Sequence, residues 1–157
     1  MSQTRRALTT AILLTLAMPF AGARADALQG SGESAQAAKA KAMLERAVAA
    51  VKANELAAME AFTKGTEGFA DGDLYPYCAR ARSGWVVAHP SRLGENIKTV
   101  SDLNGKLFGK EMLQTAVEGQ IKEIHYMWPK PGQKKPERKD TFYTKIGHLV
   151  CAVGYYP

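Results

Sequence analysis

Two pairs of residues, each pair spaced two apart, carry the chemistry of a small polar-tipped pocket: Tyr126 with Trp128, and Tyr143 with Lys145. On extended strands such neighbours project from one face. The rings of Tyr126 and Trp128 would wall an apolar pocket, with a hydroxyl and an indole N–H as fixed hydrogen-bonding tips. Ordinary core packing accounts for the same two rings. A lysine alternating with tyrosine on a buried face needs an anionic partner, which a ligand carboxylate would supply; exposure to water explains Lys145 equally well. His89 ends the apolar run WVVAH. It either faces water at a strand end or offers an imidazole to a carboxylic acid, hydroxyl or carboxylate. Arg80 has the planar fork that matches a carboxylate, although alternation places it on the face of Cys78.

Other chemistries find no support. His125 and His148 share no ligand spacing with His89, so no metal is expected. The sequence holds no G-x-S-x-G elbow, phosphate-cradling loop or H-E-x-x-H. Glu111 and Glu118 lack an evident acid–base partner. No enzymatic activity and no cofactor are expected. The 157-residue chain has 21 basic and 15 acidic residues, a formal net charge of +6, without the basic helix, RNA-binding aromatics or zinc spacing that would point to nucleic acid. The loop PKPGQKKPERKD carries Lys130, Lys134, Lys135, Arg138 and Lys139 and reads as a solvated hairpin loop, with steering of anions or contact with a receptor or membrane as the sharper alternative.

The elements that would position these residues follow from pattern. Alanine-rich residues 34–64 repeat larger apolar residues at three- and four-residue steps, which predicts a helical segment with one apolar stripe. Asn54 can cap a second helix within it, and Lys64-Gly65 is a stop. Residues 74–81 and 85–89 read as two strands around an Arg82-Ser83-Gly84 turn. Pro76 is awkward in the first and suggests a bulge or an unpaired start. Residues 90–106 form a turn-rich connection, residues 107–118 a short helix closed by Gly119, and residues 121–157 three strands. Gly154 marks the close approach of another backbone. The fold class is α+β.

The N-terminus pairs Arg5 and Arg6 with a short apolar run and an Ala23-Arg24-Ala25 site, the pattern of a secretory signal peptide cleaved after Ala25. The apolar run, ~14 residues, is shorter than the ~20 that span a bilayer; retention as an anchor is the alternative. Cleavage leaves 157 − 25 = 132 residues with a balance of 18 − 15 = +3. Residues 26–33 read as a flexible leader and 34–157 as one domain. Export would place Cys78 and Cys151 where thiols oxidise, so the two are either a disulfide or a pair of buried thiols.

The runs FADGDLYPYCARARSGWVVAHPSRLGENIKTVSDLNGKLFGKEML, IHYMWPKPG and FYTKIGHLVCAVGYY resemble the single Cache domain of the second type. The resemblance rests on Asp73-Leu74-Tyr75, Gly84, His89, Gly94 with Asn96, Asp102 with Gly105, Tyr126-x-Trp128, Tyr143-x-Lys145 and Gly154-x-Tyr156, in order and at matching spacing. It implies a PAS-like five-stranded antiparallel sheet behind a long N-terminal helix. It also implies extracytoplasmic sensing of small molecules, often short organic acids. Family members usually continue into a chemoreceptor or kinase, whereas this sequence stops at Pro157, which suggests a free-standing periplasmic or secreted form working with a membrane receptor or transporter. The expected site is His89, Tyr126, Trp128, Tyr143 and Lys145, with Arg80 as a further anion clamp. The competing reading is an exported interaction module that binds a receptor or a second copy through a strand edge or the basic loop.

Overall fold

The computed structural model describes residues 34–157; the signal peptide and leader expected at residues 1–33 lie outside them. Helix α1 spans Ala35–Ala53 and α2 spans Glu55–Lys64. Ser34 Oγ accepts the Ala37 N–H at 3.1 Å and Asn54 Oδ1 accepts that of Ala57 at 3.2 Å. Each satisfies a donor that the first helical turn leaves open. Asn54 has extended backbone angles while its own N–H closes α1 onto Ala50, so one residue ends one helix and starts the next. Gly65 takes the left-handed conformation at φ +66° and ends α2.

The strands are β1 Pro76–Arg80, β2 Val86–Ala88, β3 Lys122–Pro129, β4 Pro136–Ile146 and β5 Leu149–Tyr155, with α3 at Phe108–Thr115. They form one antiparallel sheet in the order β2-β1-β5-β4-β3, the PAS-like α+β arrangement that the resemblance implied. Pro76 is the first residue of β1, where a missing N–H is tolerated. The irregularity falls instead between Cys78 and Ala79, where β1 meets β2.

The helix expected over residues 107–118 is shorter. Ala116 turns extended, and Val117 bridges Gln120 around a tight turn in which Gly119 has φ +73°. The Val117 carbonyl accepts from the Thr144 hydroxyl at 3.3 Å. Pairing to β4 therefore overrides the local helical preference, and Gly119 serves the turn rather than the end of the helix.

One face of the sheet packs on α1 and α2. Leu44, Ala47, Phe62, Phe142, Leu149 and Val153 are among the side chains of that core. Alanines at Ala37, Ala40 and Ala47 are almost completely buried, which lets the helix axis approach the sheet. Cys78 and Cys151 are opposed in register between β1 and β5, wholly buried and joined as a disulfide. The other face carries Tyr77, Ile124, Tyr126, Tyr143, Val150 and Ala152 under Phe108 and Met112 of α3.

Candidate functional site

The second face leaves a cavity of about 40 Å³ between the sheet, the start of α3 and the connection after β2. A water needs ~10–15 Å³ on this scale, so the space suits a few waters or a ligand of a few heavy atoms. Tyr126 and Trp128, adjacent on one face of β3, line it with His89. Tyr126 stacks on Phe108 with ring centroids 3.8 Å apart, and Trp128 meets the edge of the same ring at 5.4 Å. Phe108 thus braces both rings from the first turn of α3. The Tyr126 hydroxyl accepts from Thr141 Oγ1 at 3.1 Å, and burial pushes its pKa up to about 12, so it stays a neutral phenol.

His89 lies one residue beyond β2 and is 8% exposed, between Tyr75 and Tyr77 at ring distances of 5.1 and 5.6 Å. Its Nδ1 accepts the Ser91 N–H at 3.0 Å. That bond places the proton of the neutral ring on Nε2, which is then a donor. Burial, with Lys139 and Arg92 adding repulsion, lowers the His89 pKa to about 4. At neutral pH it is a fixed hydrogen-bond donor, not a cation.

The strongest feature of the pocket is Lys139. In the sequence it belonged to the basic loop; in the structure β4 already begins at Pro136, and Lys139 is 2% exposed. Its Nζ donates to the Tyr75 hydroxyl at 3.3 Å and lies 5.0 and 5.2 Å from the ring centroids of Tyr75 and Tyr156. Among the described residues it has no ion-pair partner. Burial lowers its pKa to about 8, with Asp73 opposing the shift and Arg92 adding to it.

Arg92, half-buried at the mouth, pairs with Glu95 at 2.7 Å and places its guanidinium 4.8 Å from the centroid of the Trp128 ring. Tyr75, His89, Arg92 and Trp128 also border an outer groove of about 550 Å³, the approach from solvent. Asp102 secures the connection to β3, its carboxylate accepting N–H groups of Asn104, Lys106 and Met127 at 2.8–2.9 Å. The Met127 bond leads the Lys106 and Asn104 bonds in holding that carboxyl below its ordinary pKa, against the effect of burial.

Not every expected site residue meets here. Tyr143 is buried on the same face but gives its hydroxyl to a 2.8 Å bond with Thr115 Oγ1, and it does not border the cavity. Lys145 lies beside the turn at Glu118. It is six residues from Lys139 along β4, roughly 20 Å at ~3.3 Å per residue. Arg80 is exposed at the end of β1, away from the cavity. The structure therefore gathers His89, Tyr126 and Trp128, leaves Tyr143, Lys145 and Arg80 elsewhere, and adds Lys139, Arg92 and Tyr75.

Gly154, expected to mark the approach of a backbone, makes room for side chains instead. It pairs with Thr141 across β4 and β5. A Cβ there would collide with Lys139 Cε and come within 2.7 Å of Thr141 Oγ1. The missing side chain lets the lysine stem cross β5 into the pocket. Gly154→Ala is expected to displace Lys139 and weaken ligand binding at least tenfold, while overpacking costs about 1–3 kcal/mol of stability. Calorimetric titration and thermal melts of the variant check both.

The model of the family "Single Cache domain 2" matches residues 33–155. No curated protein matches significantly. A methyl-accepting chemotaxis protein from Vibrio parahaemolyticus superposes with a TM-score of 0.61 at 21% identity, over 76% of this chain and 86% of that one. The periplasmic sensor domain of a chemotaxis protein does so with a TM-score of 0.58 at 27% identity, over 76% and 88%. A Cache chemosensory domain described for its recognition of carboxylic acids gives 0.56 at 22% identity, over 76% and 86%.

Proposed function

The chain belongs to the single Cache domain 2 family, a family of extracytoplasmic sensor modules, and we propose that it binds a short organic anion, a monocarboxylate of a few carbons, in the pocket around Lys139. The observation that carries this reading is the buried ammonium of Lys139 with no carboxylate partner among the described residues. An isolated buried charge is costly unless something compensates it. A ligand carboxylate can accept from Nζ, whose two remaining N–H groups are open, and from His89 Nε2. The braced rings of Phe108, Tyr126 and Trp128 receive the alkyl end. Arg92, already engaged by Glu95, leaves one uncompensated positive charge, which favours a single carboxylate. The volume keeps the tail short. Export through cleavage after Ala25 and coupling to a membrane receptor or transporter complete the proposal.

The test is a thermal-shift screen of residues 26–157 against short acids, amino acids and amines. Binding to the folded state alone raises stability by about 2.7 kcal/mol at a hundredfold excess over Kd. Short monocarboxylates are expected to raise Tm and amines are not. Trp128→Ala is expected to lose binding by about 30-fold or more while retaining a cooperative transition, since Trp128 is only half-buried. A flat response to every acid, or wild-type affinity in Trp128→Ala, contradicts the proposal.

A further inference from the structure

We propose that in alkaline medium ligand binding at this site is coupled to the uptake of one proton by Lys139, so that the pocket there takes up the equivalent of the neutral acid and loses affinity as the pH rises. The inference rests on the anion-binding reading above and concerns the regulation of that same site.

The geometry sets up the coupling. The ammonium of Lys139 is buried with one hydrogen bond, to Tyr75, and the groups that face it divide by element. From the segment before β1 come Asp73 and Tyr75, from β1 Tyr77, and from the segment after β2 His89 and Arg92, with Glu95 on Arg92. From β3 comes Tyr126, and from the C-terminus Tyr156. The four tyrosines are held protonated well into the alkaline range, chiefly by burial. His89 is neutral above about pH 4. Lys139 is therefore the pocket group that changes charge between near-neutral and moderately alkaline pH, with its pKa lowered to about 8 by burial first and by Arg92 as well.

An anion seated against Nζ supplies the missing opposite charge and moves this pKa back up. The bound state then holds more protons than the free state above about pH 8, so affinity is constant below that point and falls about tenfold per pH unit above it. Stability of the ligand-free protein takes the opposite sign. Between about pH 8 and ~10 the unfolded chain holds the extra proton, so the free domain gains stability with rising pH there. Above ~10 the buried tyrosines reverse the trend, because the unfolded phenols ionise first.

The experiment titrates residues 26–157 with acetate and with propionate by calorimetry from about pH 6 to about pH 10, in two buffers of different ionisation heat. In parallel, NMR follows the ε-carbon of Lys139 in the ligand-free protein, assigned by its loss in Lys139→Arg. The expected results are affinity that declines above about pH 8, buffer-dependent heats showing proton uptake, and a Lys139 midpoint near that pH that rises with ligand. Lys139→Arg, whose charge does not titrate in this range, is expected to flatten the pH profile whatever its affinity. Binding that is independent of pH, with equal heats in both buffers, overturns the coupling and leaves the anion site standing. A free-state midpoint at the ordinary lysine value overturns it without reference to any ligand. Failure of all short acids to bind overturns both readings.

Discussion

Lys139→Met is expected to abolish practical ligand binding and, at the same time, to make the ligand-free domain more stable. The two effects have one origin. In the empty pocket the ammonium is desolvated with a single hydroxyl partner, so an apolar side chain of similar length removes an uncompensated charge; such replacements are neutral or stabilising by about 1–4 kcal/mol. In the occupied pocket the same ammonium is the counter-ion, and truncating one member of a buried charge pair costs about 2–5 kcal/mol, roughly 30- to 5,000-fold in affinity. Calorimetric titration and thermal melts of wild type and variant check the pair of outcomes. Lys145→Met serves as the control and is expected to leave affinity unchanged, because Lys145 lies beside the turn at Glu118 and away from the cavity. A destabilised Lys139→Met protein that still binds ligand would show Lys139 to be a structural residue.

The second large effect is on stability. The bond between Cys78 and Cys151 spans a sequence separation of 73 residues, and constraining an unfolded loop of that length is worth about 4 kcal/mol in the chain-entropy account. The double variant Cys78→Ala/Cys151→Ala is expected to lose that much, or about 10–20 °C in Tm for a domain of this size. Below its transition it should still bind ligand, because both cysteines pack on the helix side of the sheet, within the core formed with α1 and α2. Scanning calorimetry of both proteins gives the difference. A loss under about 1 kcal/mol would mean that the unfolded chain gains almost nothing from the constraint.

Much of this architecture was legible in the residues themselves. The alanine-rich segment, the Asn54 cap and the Gly65 stop depend on local rules, and the structure obeys them. The aromatic pair on β3 was legible for a similar reason: period-two spacing puts Tyr126 and Trp128 on one face wherever the strand lies.

What escaped depends on boundaries and on distant partners. Lys139 looked like part of a charged loop because Lys134, Lys135 and Arg138 precede it. β4 starts at Pro136, after Lys134 and Lys135, and alternation along it sends Arg138 outward to Asp140 and Lys139 inward. A signal was present in the alternation of Lys139, Thr141, Tyr143 and Lys145 together with Gly154, but deciding which lysine is buried requires the β4–β5 register. Lys145 satisfied the same alternation and lies at the other end of the strand. Arg92 sits in a turn-rich connection whose path is set by tertiary contacts, and nothing in its local pattern distinguishes it from a surface arginine. The early end of α3 has the same character, since pairing of residues 117–120 with β4 outweighs local preference.

A crystal structure of residues 26–157 grown with propionate near neutral pH tests the anion site at Lys139 directly. A carboxylate is expected within hydrogen-bonding distance of Lys139 Nζ and His89 Nε2, with the alkyl end against Phe108, Tyr126 and Trp128. Well-resolved protein with water alone in that cavity at saturating propionate, or with propionate bound only elsewhere, would contradict it.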